Sequence, residues 1–415
     1  MKLIGQSKLP SCIAIIVALM SFFTLGHWLV VSFFPNRTIE FVFRCVCVFI
    51  FVYTFKQEFR FNNIKADFVL VLYLIWMLYK CLCSIPELKN NDFIYIFNVN
   101  CSGSLMIISA FFIAKPLYLT SIVKYFKLWT IPLTLIVAIY MEPQEYFGTD
   151  VFGFYLCFLQ IYCMFWSMLK YQTRFLLIMA VLLIIYLGIV GDARSHFLKY
   201  SIAICLGYFS NNLFFTHVIL SKFWLRIIHI ILMSIPIFFL IVGLLGSFNV
   251  FEYGDNSRES LTDTRTHVYY ESINSAINNQ YIICGRNIVH GYDSLIQEKK
   301  QDDNSIYGNH YERLAEVGIL NIFGWSGLVG VILYFLVFFH ASYRALFCSN
   351  NKYMKIIGLY VSFRWIMCWI EDMQGFNSMN ITLWILFSFC FLDYYNQMDD
   401  ETMKKTIKSL NFDYK

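Results

Sequence analysis

The chain has 415 residues, of which 59% are apolar and only 14% charged, against roughly 45–50% and about 25% for an ordinary soluble domain. A soluble globular enzyme of this size cannot hide that much apolar surface, whereas a bilayer asks for about 20 apolar residues per spanning helix, so the composition predicts a polytopic membrane protein. A formal charge of +5 is too small to mean nucleic-acid binding and gains meaning only from where the charges fall.

Long apolar runs predict twelve helices, at 12–34, 39–55, 67–84, 99–114, 125–141, 151–169, 175–191, 195–209, 227–247, 319–341, 354–371 and 377–395. The first run lacks a small-residue cleavage site and is read as a retained anchor. Lipid leaves only helices or a closed barrel to satisfy the backbone, and these runs are too long for barrel strands, so the expected fold is an all-α bundle of about 12 transmembrane helices. With the N-terminus inside, the cytoplasmic connections and tail carry 19 Lys and Arg, while the short outer connections hold only Arg37, Lys89 and Arg194. That bias predicts cytoplasmic N- and C-termini. The division that follows is helices one to nine in 1–247, an outer loop in 248–318, helices ten to twelve in 319–395 and a cytoplasmic tail in 396–415.

The outer loop stands apart. It has 71 residues with 11 Asp or Glu and 6 Lys or Arg, and structureless loops of that length are uncommon and usually functional, so it is read as a small helical cap over the outer mouth of the bundle. Within the spans, no carboxylate falls near a helix centre, which argues against an ion-coupled transporter. Arg44, Lys80 and Lys199 lie close enough to outer ends to snorkel, leaving Arg364 as the deepest cation, in need of an internal partner or an anionic ligand. The 13 cysteines lie mostly within spans without metal-ligand spacing, and Cys284 has no obvious partner in the outer loop, where no structural disulfide is expected.

Three places on the outer side could carry chemistry. The turn Gly191-Asp192-Ala193-Arg194-Ser195-His196 sets Arg194 at the start of a helix, where unpaired N–H groups, the dipole and a guanidinium fork favour an anion, or where Arg194 simply anchors to lipid headgroups or Asp192. Leu261-Thr262-Asp263-Thr264-Arg265 leads into apolar residues spaced for one helical face, so Arg265 occupies a first turn in the same way, or is a solvated surface residue. Gly308-Asn309-His310-Tyr311-Glu312-Arg313-Leu314-Ala315-Glu316-Val317-Gly318 places His310 early in the tenth helix, where the dipole favours a neutral ring able to take a proton. His310 is either a base or structural, and His267, His290 and His196 on the same side are its rivals.

This layout, and the stretch from about 187 to 325 in particular, resembles the bacterial O-antigen ligase and O-antigen polymerase family. The resemblance rests on a span ending in Asp192-Ala193-Arg194-Ser195, an Arg heading a loop helix at Arg265, a Gly-containing turn at Gly285 and Gly291, and Asn309-His310 before Ala315-Glu316-Val317-Gly318-Ile319-Leu320. Two departures stand out: the order is Asn-His rather than His-Asn, and the Arg turn has Ala193 and Ser195 around Arg194.

The resemblance implies glycosyl transfer at the periplasmic face of the bacterial inner membrane, with an undecaprenyl-diphosphate-linked oligosaccharide as donor. The implied reaction is an inverting one that needs no cofactor and no metal. His310, Arg265 and Arg194 are then the catalytic candidates, and Arg194, Arg265, Arg364, Arg286, Glu312 and Glu316 the substrate-binding ones, with Glu312 or Glu316 orienting His310. The acceptor is a carrier-linked repeat unit for a polymerase, the favoured reading, or lipid A core for a ligase. A flippase or permease is the rival from another class. Membrane lipids and a chain-length regulator are the further expected partners.

Overall fold

The computed structural model describes residues 64–88, 94, 96–97, 100–101, 156–190, 194–245, 264–294, 312–371 and 378–410. Among them helix dominates, and the only strand pairing is a two-residue ladder. Among the described residues three helices are long and apolar enough to cross a membrane, Phe68–Glu87, Lys222–Ile241 and Gly318–Phe347, with shorter apolar helices at Tyr171–Tyr186 and Met379–Phe391. The described helices coincide with seven of the twelve runs; those at 12–34, 39–55 and 125–141 lie outside the described residues, and those at 99–114 and 151–169 are described only in part.

Helix α1 (Ile64–Ser84) is mostly apolar and ends at Ser84-Ile85-Pro86, where Pro86 cannot donate to the helix and a single 3-10 turn, Ile85–Glu87, follows. Leu70, Tyr73, Met77, Lys80, Cys81 and Ser84 repeat at helical spacing and are buried, whereas Ile75, Tyr79 and Leu82 are exposed as a lipid-facing side would be. A short helix α2 (Leu159–Met164) is followed by α3 (Tyr171–Val190), α4 (Arg194–Phe209) and α5 (Lys222–Leu245). The outer loop contributes α6 (Thr264–Asn278) and the antiparallel pair β1 (Tyr292–Asp293) and β2 (Glu312–Arg313), in register Tyr292 to Arg313 and Asp293 to Glu312. The chain then forms α7 (Gly318–Phe347), α8 (Lys352–Met367), α9 (Ser378–Phe391), the one-turn α10 (Asp393–Asn396) and α11 (Asp400–Leu410).

Helix α8 is the centre of the packing. It is buried on nearly every side, as a helix enclosed by protein must be, and it packs against α7, α5, α9, α4 and α2. Asn351 caps its start by accepting from the Met354 N–H at 2.9 Å, and the same side chain donates to the carbonyls of Tyr395 and Met398, tying α8 to the segment after α9. An Arg344–Asp393 ion pair closes this end of the bundle.

The opposite end gathers the residues relevant to function. The N–H groups of Gly318 and Ile319 donate to the carbonyls of Glu371 and Cys368, so the head of α7 and the turn after α8 are one unit. Helix α7 is broken at Gly327, whose φ of 67° is left-handed. The segment Tyr281–Arg286 lies in that break: Arg286 N–H donates to Gly324 O, and Leu328 and Val329 N–H donate to Ile282 and Ile283 O. Gly285, also left-handed at φ 73°, faces Gly327 so closely that a Cβ on Gly327 would sit 2.2 Å from Ile283 O and one on Gly285 would sit 2.3 Å from Ser326 N. Two glycines are required because two backbones touch there. From α1, Trp76 donates to Ser326 O at 3.0 Å and Lys80 to Gly285 O at 3.2 Å.

Candidate active site

The loop that enters the α7 break continues as Asn287-Ile288-Val289-His290 and is fastened to the end of α1. Ile288 N–H donates to Ser84 Oγ at 3.1 Å, Asn100 donates to Ile288 O at 2.7 Å, and the Asn287 amide donates to Glu87 at 2.7 Å. Asn287 Oδ1 in turn accepts from the N–H groups of Val289 and His290, a local turn that Asn favours. Residues about 200 positions apart in sequence are thereby held in one place.

His290 sits between two carboxylates. Its Nδ1 meets both oxygens of Glu312, the shorter contact at 2.8 Å, and its Nε2 meets Glu87. The Glu312 side chain is 1% exposed and that of Glu87 41%, so the chain Glu312–His290–Glu87 runs from the interior to the surface. Burial works against the charged ring, but the hydrogen bond and charge of Glu312, and then the contact with Glu87, outweigh it, and His290 titrates above the ordinary histidine range despite the nearby Arg286. Arg286 forks between Asp293 at 3.0 Å and Glu312 at 2.9 Å, which fixes the buried carboxylate across the β1–β2 ladder. Asp293 also accepts from Ser275 of α6 and from Asn279 just after it, so α6, the ladder and the loop share one polar network.

Chemically, an exposed carboxylate backed by a histidine and a second carboxylate is a proton acceptor whose position is fixed from behind. Among the described residues no group of three His, Cys, Asp or Glu is placed to hold a metal ion.

A second polar cluster lies within the bundle beneath the turn at 368–371. Arg364 is fully buried and donates to Gln160 Oε1 at 3.1 Å, and Tyr360 donates to the same oxygen at 2.6 Å. Lys199, also fully buried, pairs with Glu371 at 2.7 Å. One internal partner of Arg364 is therefore a neutral amide from α2. Lys80 and Lys199, expected from their depth to snorkel outward, are instead committed inside the protein, to loop carbonyls and to Glu371.

Of the residues singled out from sequence, Glu312 and Arg286 meet at His290. Glu316 is exposed in the bend before α7, and Arg364 belongs to the separate buried cluster. His310 and Asn309 lie outside the described residues. Arg194 opens α4 and Arg265 lies in the first turn of α6, and the description of both stops at the backbone. The two helix starts flank one turn, because Lys199 of α4 pairs with Glu371 and Tyr269 of α6 donates to Trp369 O at 2.7 Å. Sequence reasoning named His290 only as a rival of His310 and missed Glu87. No local signal could have found that contact, since its partners are 203 positions apart.

No family model, no curated protein and no solved structure matches the chain.

Proposed function

We propose that the protein is a membrane glycosyltransferase of the O-antigen polymerase kind, joining undecaprenyl-diphosphate-linked repeat units at the periplasmic face of the inner membrane. The observation that carries this reading is the Glu312–His290–Glu87 chain at the end of the bundle where α4 and α6 also begin. Three features support it. The site is fastened to the end of an apolar helix long enough to cross a membrane, where a lipid-linked donor would hold its diphosphate. The starts of α4 and α6 offer backbone donors and the positive ends of two helix dipoles, and each carries an arginine in its first turn. A proton acceptor with a fixed second group stands on the same end.

In this mechanism Glu87 takes the proton of the acceptor hydroxyl as its oxygen attacks the anomeric carbon. The bond from that carbon to the diphosphate oxygen breaks, and its electron pair leaves with the diphosphate. His290, held as an imidazolium between Glu312 and Glu87, orients the Glu87 carboxylate and offsets its charge, so His290 replaces His310 as the histidine we assign to the reaction. Arg194 and Arg265 stabilise the charge that grows on the leaving diphosphate. Arg286 braces Glu312 rather than contacting donor. A ligase acting on lipid A core would use the same groups and differ only in acceptor.

Glycan ladders from cells carrying Glu87→Gln, His290→Gln, Arg194→Ala, Arg265→Ala and His310→Ala variants test the assignment. The first four are expected to stop elongation while the protein still accumulates in the membrane, and His310→Ala to retain it. Wild-type ladders from Glu87→Gln and His290→Gln would end this reading. A deletion strain whose lipid A core carries one repeat has lost a polymerase; a bare core with polymer left on the carrier means a ligase.

A further inference from the structure

The wall that holds Ile288 contains two thiols in contact. Cys81, buried on α1, and Cys101, half-buried, lie within hydrogen-bonding reach of each other. Each stands beside an anchor of the site loop. Three residues after Cys81, Ser84 Oγ accepts from the Ile288 N–H at 3.1 Å, and one residue before Cys101 the Asn100 amide donates to the Ile288 carbonyl at 2.7 Å. Between the two cysteines in sequence, Glu87 meets Asn287 and His290, and Ile96 packs on Val289. Residues 287–290 are therefore gripped by the end of α1 and the start of the next apolar run, and the thiols lie where those two segments touch. By the charge bias of the sequence, this is the outer end of both.

We propose that Cys81 and Cys101 form a disulfide that clamps the two anchors of the loop. Two thiols gain little from their hydrogen bond, S–H being a weak donor and sulfur a weak acceptor. A periplasm is oxidising, and there disulfides form and persist. The proposal rests on the reading that puts this end of the bundle at the periplasmic face. The reactant is itself a disulfide, that of a protein oxidase or of oxidised glutathione. The Cys101 thiolate, the more exposed of the pair, attacks one sulfur of that disulfide and releases the other as a thiol; the Cys81 thiolate then attacks Cys101 Sγ and releases the second. Two electrons pass to the reactant, and the protons of Cys81 and Cys101 end on its two thiols. The bond closes a segment of about 20 residues. It fixes Ser84 against Asn100, so Ile288 can leave only if the whole clamp moves. Cys83, two residues beyond Cys81, is exposed and projects from a different side of α1.

Cells expressing the full chain are quenched with acid, free thiols are blocked with N-ethylmaleimide, and tryptic peptides are read by mass spectrometry without reduction. The peptide 81–89 is expected joined to the one carrying Cys101 in wild type and in Cys83→Ser, and separate in Cys81→Ser. Maleimide on both Cys81 and Cys101 of the wild type overturns the disulfide, and so does a link that survives Cys81→Ser, because it must run through Cys83. The wild-type reading decides by itself should a variant fail to accumulate. Hydrogen–deuterium exchange in nanodiscs tests the clamp, comparing oxidised chain with chain kept under tris(2-carboxyethyl)phosphine from extraction onward. Amides of 287–290 are expected to exchange about tenfold faster without the bond, and those of α8 at the same rate in both. Equal rates at 287–290 overturn the clamp. Glycan ladders separate this inference from the enzymatic one. A Cys81–Cys101 link together with a wild-type ladder from Glu87→Gln keeps the disulfide and removes the enzyme. Free thiols together with arrest by Glu87→Gln remove the disulfide and leave the enzyme.

Discussion

Replacing Gly327 by alanine is expected to open the seam between the outer loop and α7. Its backbone, at φ 67° and ψ −169°, lies in a region open almost only to glycine, where another residue costs about 1–3 kcal/mol. The added Cβ would also stand 2.2 Å from Ile283 O and 2.4 Å from Gly285 N, so the loop must retreat. Retreat breaks the bonds from Leu328 and Val329 N–H to Ile282 and Ile283 O, each contributing about 1 kcal/mol. The total of about 3–5 kcal/mol corresponds to local opening more frequent by roughly two to four powers of ten. Hydrogen–deuterium exchange of the chain in nanodiscs, read on peptides covering 281–291 and 324–330, measures it. Gly324→Ala is the matched control, three residues away with open space at its Cβ, where alanine should leave exchange unchanged or gain about 0.5–1 kcal/mol as in any helix interior. Gly285→Ala should reproduce Gly327→Ala, and the double variant should be no worse than either, because both break one interface. If Gly327→Ala exchanges like Gly324→Ala, the seam does not hold the loop and the reasoning fails.

The same framework gives three further outcomes. Lys80→Met removes the ammonium donating to Gly285 and Arg286 carbonyls at 3.2 and 3.5 Å, and thermal melting should show a loss of about 1.5–3 kcal/mol, largely recovered by Lys80→Arg; an unchanged melt would mean the lysine is a passenger. Lys199→Met strands the Glu371 carboxylate and should cost about 3–5 kcal/mol, whereas Lys199→Met with Glu371→Gln should be far milder; equal melts for the single and double variants would refute the pairing. Because His290 titrates above the ordinary range in the folded protein, its contribution to stability is complete below about pH 6.5, the value expected of it unfolded, and is lost as pH rises through the elevated one. Denaturation midpoints of wild type and His290→Gln should therefore converge as pH rises, and a gap that widens instead would refute the Glu87–His290–Glu312 arrangement.

What the sequence discloses here depends on whether the signal is local. Long apolar stretches were readable because one helix satisfies its own backbone in lipid, and α1, α5 and α7 meet that requirement. The helix that begins near Arg265 was readable from apolar residues spaced for one helical face. Depth along a helix was readable too, but what a side chain meets at that depth was not. Lys80 and Lys199 were assigned to the interface by depth alone, and both are held inside by partners 205 and 172 positions away. The outer loop shows the same limit on a larger scale. It is not only a cap over the bundle, because Tyr281–Arg286 enters α7 at Gly327, nine residues from the head of the helix, about 13 Å along it at 1.5 Å per residue. Non-helical backbone at that depth is tolerated only where protein supplies the missing hydrogen bonds, and the loop supplies them from Gly324 to Val329. The break in α7 and the position of His290 are thus one feature. A loop free to leave would strand backbone groups within the bundle, so the helix that seems to bear the loop is itself completed by it, and the histidine four residues beyond Arg286 inherits the rigidity of that junction.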